Sequence, residues 1–160
     1  MESSFFPLRT RRLLIRPMEK EDWKDMQSIW EDFNRSAYVS LDMPHDTREK
    51  SLRRQIAKWV ESSSGTSHLF LSVCLQEQMI GFYAFHRRED SHKVGYRFKK
   101  QYQKMGYGKE SFLSLVPVLK QMGISSITAG TAFGNPPFRV LSQIPGISDY
   151  RDRTGIFLPG

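Results

Sequence analysis

The chain has 160 residues, of which 39% are hydrophobic and 26% charged, with a formal net charge of +7. That length supports one domain with its own core, and no apolar run reaches the roughly 20 residues of a membrane-spanning helix, which excludes the membrane as a partner. The positive balance favours an anionic cofactor or an acidic substrate, whereas nucleic acid is disfavoured because the basic residues are dispersed and no nucleic-acid motif is present.

Met1 to Pro7 lacks a charged-then-apolar leader pattern, so the mature chain is expected to begin here. Leu13 to Pro17 predicts a short strand closed by a proline that cannot donate to a ladder. Glu21 to Phe33 predicts a helix, with Trp23, Met26, Trp30 and Phe33 on one stripe and acids in the first turn. Asn34 to His45 reads as loop. Asp46-Thr47-Arg48-Glu49 has capping-box spacing and opens a second helix with Leu52, Ile56, Trp59 and Val60 on its apolar face. Ser62-Ser63-Ser64-Gly65 ends that helix.

Leu69 to Leu75, Met79 to His86 and Lys93 to Phe98 follow as three strands joined by short polar links, an antiparallel meander. Cys74, the lone cysteine, lies in the first of them as a small buried side chain and can make no internal disulfide, which suits a reducing cytoplasm. Tyr107 to Met122 predicts a third helix with Phe112, Leu115, Val116, Leu119 and Met122 on one side. Pro117 is expected to kink or restart it, and Gly123 to stop it. Ile124 to Thr131 reads as a strand, Gly134-Asn135-Pro136-Pro137 as a break, and Phe138 to Ile144 as a short helix before an irregular tail. The order implies one α+β (mixed α/β) domain over residues 1–160, with a mixed end from about residue 136 that the family resemblance given below marks as atypical. Its core is a mostly antiparallel twisted sheet with helices on both faces.

The informative stretch is Gln103 to Glu110, a double-glycine bend between a strand and a helix. A helix N-terminus presents backbone N–H groups without intrahelical partners and a partial positive charge. Gly106 and Gly108 admit close approach of a ligand to that backbone, and Lys104 and Lys109 add charge of the same sign, so a phosphate-bearing ligand is expected. The bend is no nucleotide-triphosphate loop, since Lys109 is followed by Glu110, and it lacks the third glycine of the dinucleotide fingerprint.

The Gln103-x-x-Gly106-x-Gly108 pattern resembles the pyrophosphate loop of the GNAT acetyltransferases. Other segments resemble the ribosomal-protein N-acetyltransferase (Rim-type) branch of that superfamily in the same order. They are Thr10-Arg11-Arg12-Leu13-Leu14-Ile15-Arg16-Pro17, Ile80-Gly81, Val94-Gly95-Tyr96-Arg97-Phe98, Tyr102 to Ser111, and Asn135. The resemblance runs from about Thr10 to Asn135. It implies transfer of an acetyl group from acetyl-coenzyme A to a primary amine, of a protein N-terminus or a small molecule, by direct attack and without a metal. It also implies that the backbone of Tyr96, Arg97 and Phe98 binds the pantetheine arm and acetyl group. The amides of Gln103, Lys104, Met105, Gly106, Tyr107, Gly108 and Lys109 would hold the pyrophosphate, and Asn135 the coenzyme arm. A strand N–H aimed at the acetyl oxygen would stabilise the charge that develops there.

Departures from the family bear on catalysis. Lys93 stands where the Rim-type branch often has a glutamate base; Glu89, Asp90, His86 and His92 lie nearby and can relay a proton through water. His86 and His92 make no metal pair, because nothing else supplies ligand spacing. Glu110 reads as a helix-start acid. The family's Asn-x-x-Ser is replaced by Asn135-Pro136-Pro137-Phe138, and its thiolate-protonating tyrosine has Ser142 or Tyr150 as stand-ins. The tail is short for two terminal strands: either they are abbreviated and a second copy of the chain completes the sheet edge, or the end is altered. The alternative to an active enzyme is a module that binds acetyl-coenzyme A but catalyses weakly, as a sensor or partner subunit.

Overall fold

Side chains alternate between the two faces of a strand, and in this protein both faces are apolar, so helices must cover each of them. The computed structural model describes residues 5–36, 44–63, 67–88, 91–124, 126–129, 148–149 and 155–157. The strands are β1 (Leu8–Arg9), β2 (Leu13–Pro17), β3 (His68–Leu75), β4 (Gln78–Arg87), β5 (His92–Phe98), β6 (Ser126–Ala129), β7 (Ser148–Asp149) and β8 (Gly155–Phe157). The helices are α1 (Trp23–Asn34), α2 (Glu49–Ser62) and α3 (Tyr107–Gln121). One sheet runs in the order β1-β2-β3-β4-β5-β6-β8-β7, and every pairing is antiparallel except β5 with β6.

On one face, Leu69, Leu71, Val73, Tyr83 and Phe85 pack with Phe112, Leu115 and Leu119 of α3. On the other, Phe70, Cys74, Phe82 and Ala84 pack with Met26, Ile29, Trp30 and Phe33 of α1 and with Leu52 and Ile56 of α2. Trp59 stacks on Phe70, with ring centroids 4.8 Å apart. The expected aromatic stripe of the first helix is therefore core.

Several local expectations need correction. The Asp46 carboxylate accepts the Arg48 backbone N–H at 3.0 Å and pairs with the Arg48 guanidinium, while Glu49 pairs with Arg53 one turn on. No reciprocal capping box forms, and α2 starts at Glu49 without a side-chain cap. Nor does Pro117 restart α3, which continues from Tyr107 to Gln121. The missing proline N–H would have paired with the Leu113 carbonyl, and Leu113 and Pro117 both lie on the exposed side, where water can serve that carbonyl. Ile124 belongs to the helix end rather than to β6. Gly123 turns left-handed at φ +90°, its N–H reaches the Lys120 carbonyl, and the Ile124 N–H reaches that of Leu119, a Schellman closure. The tail forms two short paired strands, with β8 inserted between β6 and β7. The segment Phe138 to Ile144 lies outside the described residues.

A β-bulge interrupts the β3–β4 ladder, which steps from Val73↔Gly81 to Cys74↔Met79 and leaves Ile80 as an extra residue of β4. The Ile80 carbonyl then accepts the Lys99 N–H at 2.8 Å, which pins the exit of β5. Gly81 faces Phe98 across the β4–β5 ladder, and a Cβ there would run into the Phe98 ring. Gly81→Ala is thus expected to overpack this corner at a cost of about 1–3 kcal/mol. At about 2–4 °C per kcal/mol for a chain of this size, calorimetry should show a Tm several degrees lower. An unchanged Tm would contradict the close fit.

Candidate active site

The site begins where β5 leaves the sheet. The parallel β5–β6 ladder pairs His92 with Ile127, Lys93 with Thr128 and Val94 with Ala129, and among the described residues it goes no further. On its other side β5 stays paired with β4 as far as Phe98. Gly95–Phe98 thus form the part of β5 that leads from the parallel pair to the bend.

Beyond Phe98 the chain makes a short 3-10 turn, Lys100–Tyr102, and enters the bend. The Gln103 side chain donates from Nε2 to the Phe98 carbonyl at 2.9 Å. Its amide group is therefore a tie between bend and strand. Lys104 takes φ +63° and Gly106, the N-cap of α3, takes φ +86°. These two left-handed residues make the chain turn sharply from the strand into the start of α3. The first N–H bonded back into the helix is that of Glu110, to the Gly106 carbonyl at 2.9 Å. The amides of Tyr107, Gly108 and Lys109 precede it and lie in the electropositive first turn.

This bend is anchored by residues whose role the sequence did not disclose. The Glu110 carboxylate accepts hydrogen bonds from the Thr10 hydroxyl, the Arg12 backbone N–H at 2.9 Å and Arg12 Nε at 2.6 Å. Arg12 Nη2 also donates to the Met105 carbonyl at 3.3 Å, and the guanidinium lies 4.2 Å above the Tyr107 ring. Arg12 thus adds a fixed cation beside the glycine bend. The only available signal was that Thr10, Arg12 and Glu110 all belong to the segments that resemble the family.

Burial raises the Glu110 pKa, but the hydrogen bonds from Thr10 and Arg12 outweigh that effect and hold it below its ordinary 4.5. A folded pKa below the unfolded one stabilises the fold above about pH 4.5, and this contribution disappears as pH falls through the depressed value. The Tm advantage of the wild type over Glu110→Gln should accordingly be present at pH 7 and shrink below pH 4; an advantage independent of pH would refute this.

Two tyrosines lie side by side on the α3 face of the sheet. Tyr83 is fully buried, and its hydroxyl bonds to Ser111 Oγ at 2.8 Å and to the Gly108 carbonyl at 3.2 Å. Tyr96 pairs with it in register. Arg97 points to the opposite face, where its guanidinium sits 4.8 Å from the Phe33 ring, and Nη1 donates to the Tyr96 carbonyl at 2.8 Å. Beside Phe33, His45 stacks on Trp30 at 3.6 Å and exchanges two hydrogen bonds of 2.8 Å with the Asn34 amide. Residues 37–43 lie outside the described residues.

Of the candidate proton carriers, His86 faces Lys93 across the ladder, and its Nδ1 is 2.9 Å from Nδ1 of His68. Burial first, then His68, Arg88 and Lys93, lower its pKa, so its imidazole is neutral at pH 7. His92 is buried at the start of β5. Glu89, Asp90, Asn135, Ser142 and Tyr150 lie outside the described residues. Among the described residues no group of three His, Cys, Asp or Glu side chains is placed to hold a metal ion, and no helix is long and apolar enough to cross a membrane.

A mixed sheet with one parallel pair, β5 with β6, followed by a positive-φ bend at a helix N-terminus, is compatible with an acyltransferase that binds an acyl-coenzyme A, and the family match shows that class. The chain belongs to the acetyltransferase (GNAT) domain family, whose sequence profile it matches over residues 12–143. It is therefore an acetyltransferase that uses acetyl-coenzyme A. Across 84% of this chain and 79% of the relative, it is 26% identical to the uncharacterized N-acetyltransferase YnaD of Bacillus subtilis. Its fold is similar to that of a GNAT-family acetyltransferase from Bacillus anthracis, with a TM-score of 0.64 and 21% identity over 94% of each chain. It is also similar to that of Mycobacterium smegmatis RimJ, solved with a coenzyme A disulfide, with a TM-score of 0.71 and 14% identity over 95% of this chain and 83% of RimJ.

Proposed function

We propose that the protein transfers the acetyl group of acetyl-coenzyme A to a primary amine, on a protein N-terminus or a small molecule, by direct attack. The observation that supports this reading is the left-handed bend at Gly106 between β5 and α3, with the amides of Tyr107, Gly108 and Lys109 ahead of the first helical bond at Glu110. The residues fit the coenzyme's charge. The amides from Gln103 to Lys109, with Arg12 beside them, hold the diphosphate, and the main chain of Tyr96, Arg97 and Phe98 takes the arm, with Asn135 as a further contact. The coenzyme supplies an activated thioester: the amine nitrogen bonds to the acetyl carbon, the carbon–sulfur bond breaks, and the proton lost by the amine ends on the thiol. Neutral His86 or Glu89 serves as the first acceptor of that proton through water, and Ser142 or Tyr150 returns one to sulfur.

Mixing protein, acetyl-coenzyme A and a panel of peptide and small amines should release free thiol at a rate dependent on the amine. Lys93, exposed where relatives often carry glutamate, favours a second reading: a coenzyme-binding module with weak catalysis. Thiol release at background, together with a coenzyme-dependent rise in Tm, would select that reading over the first.

A further inference from the structure

The chain between β5 and the bend is held from α1. Lys99, the last residue before the 3-10 turn, is 5% exposed, and its ammonium donates to the Asp25 carboxylate at 2.8 Å. One residue on, the Lys100 backbone N–H donates to Asp32 Oδ2 at 2.8 Å. Asp25 and Asp32 stand two turns apart on one side of α1, so a single helix face meets two consecutive residues of the strand exit.

The second contact differs in kind from the first. The 3-10 turn closes with the Tyr102 N–H on the Lys99 carbonyl and the Gln103 N–H on that of Lys100. The Lys100 N–H therefore has no partner inside the turn, and Lys99 at its N-cap supplies no side-chain bond. Asp32 caps the turn from another element. The helix that carries it is fixed in place, because Phe33, the next residue, is buried and lies under the Arg97 guanidinium of β5. From the capped turn the chain runs directly into Lys104 at φ +63° and Gly106 at φ +86°. Downstream, the bend is held by Arg12 on the Met105 carbonyl and on Glu110. Upstream, the Gln103 amide ties it to Phe98, and Asp32 fixes the turn that feeds it.

We infer that Asp32 is a positioning residue for coenzyme binding: by capping Lys100 it holds the bend where its amides meet the diphosphate. This rests on the bend being the diphosphate site. In this role the carboxylate touches no part of the coenzyme. Without the cap, the turn and the bend have more placements open to them, and the apparent affinity falls with the fraction of the protein in the competent one. Losing one hydrogen bond to a carboxylate that is one-fifth exposed should make that fraction about three- to tenfold smaller.

Calorimetric titration with coenzyme A, well below the Tm, compares three variants with the wild type. Asp32→Ala should bind about three- to tenfold more weakly. Asp32→Asn keeps a side-chain oxygen for the Lys100 N–H and should regain most of the affinity. Arg35→Ala removes the exposed partner of the other Asp32 oxygen and leaves the cap, so it should bind like the wild type. Wild-type affinity in Asp32→Ala, even with a lower ligand-free Tm, overturns the assignment, because the carboxylate would then serve only the fold. So does an Asp32→Asn protein as weak as Asp32→Ala, or an equal loss in Arg35→Ala, since these would trace the effect to charge or to the ion pair instead of the cap. If the wild type itself binds no coenzyme A, the reading of the bend as the coenzyme site falls first.

Discussion

Asp22→Ala is expected to lower stability by about 3 kcal/mol, the low end for breaking a buried ion pair, because the Arg16 guanidinium left behind is one-fifth exposed. Asp22 is 5% exposed at the start of α1. Its carboxylate takes both Arg16 Nη atoms, at 2.9 and 2.8 Å, the Glu19 N–H at 2.9 Å and the Ser72 hydroxyl at 2.8 Å. One side chain thus joins β2, the first helix and β3. Burial raises the Asp22 pKa, but the bonds from Arg16, Glu19 and Ser72 more than reverse this, and the carboxyl titrates below its ordinary 3.8. Its contribution is therefore present above about pH 4 and lost as pH falls through the depressed value. Urea denaturation at pH 7 should show the full loss for Asp22→Ala. The double variant Arg16→Met/Asp22→Leu should recover most of it, since no charge remains buried. A double variant as unstable as Asp22→Ala would mean that the network stabilises through more than mutual neutralisation.

Gly106→Val should have the largest effect on ligand binding. Gly106 has φ +86°, where a β-branched residue is strained by about 1–2 kcal/mol, and its added Cβ would lie 3.4 Å from Arg12 Nη2. The helix start can relieve that strain only by turning its amides away from the position a diphosphate takes. Each lost bond to a charged oxygen is worth about 1.5–3 kcal/mol, so coenzyme affinity should fall about tenfold to several hundredfold. Titration with coenzyme A measures the loss. The ligand-free Tm and circular dichroism of Gly106→Val, measured beside the titration, separate a lost site from a lost fold. A Gly106→Val protein that binds as tightly as the wild type would remove the bend from the site.

The sequence alone determined the features that depend on neighbours along the chain. Periodicity placed three helices and the β3–β5 meander within a residue or two, because a buried face repeats at 3.6 or 2 residues wherever it packs. Two glycines between a strand and an amphipathic run announced the bend, since a tight turn and a helix start are both local.

Only the tertiary structure decided what depends on segments distant in sequence. Arg12 and Glu110 are 98 residues apart, and nothing local in either announces their pair. The extra residue at Ile80 and the close seat of Phe98 on Gly81 are properties of register between strands. The Asp46 cap failed for a related reason: Arg48 and Arg53 offered the two carboxylates better partners than the helix backbone. Hydrophobic patterning says which side of an element is buried. Which residues meet across it is settled only when the sheet closes and its geometry chooses among many chemically equivalent pairings.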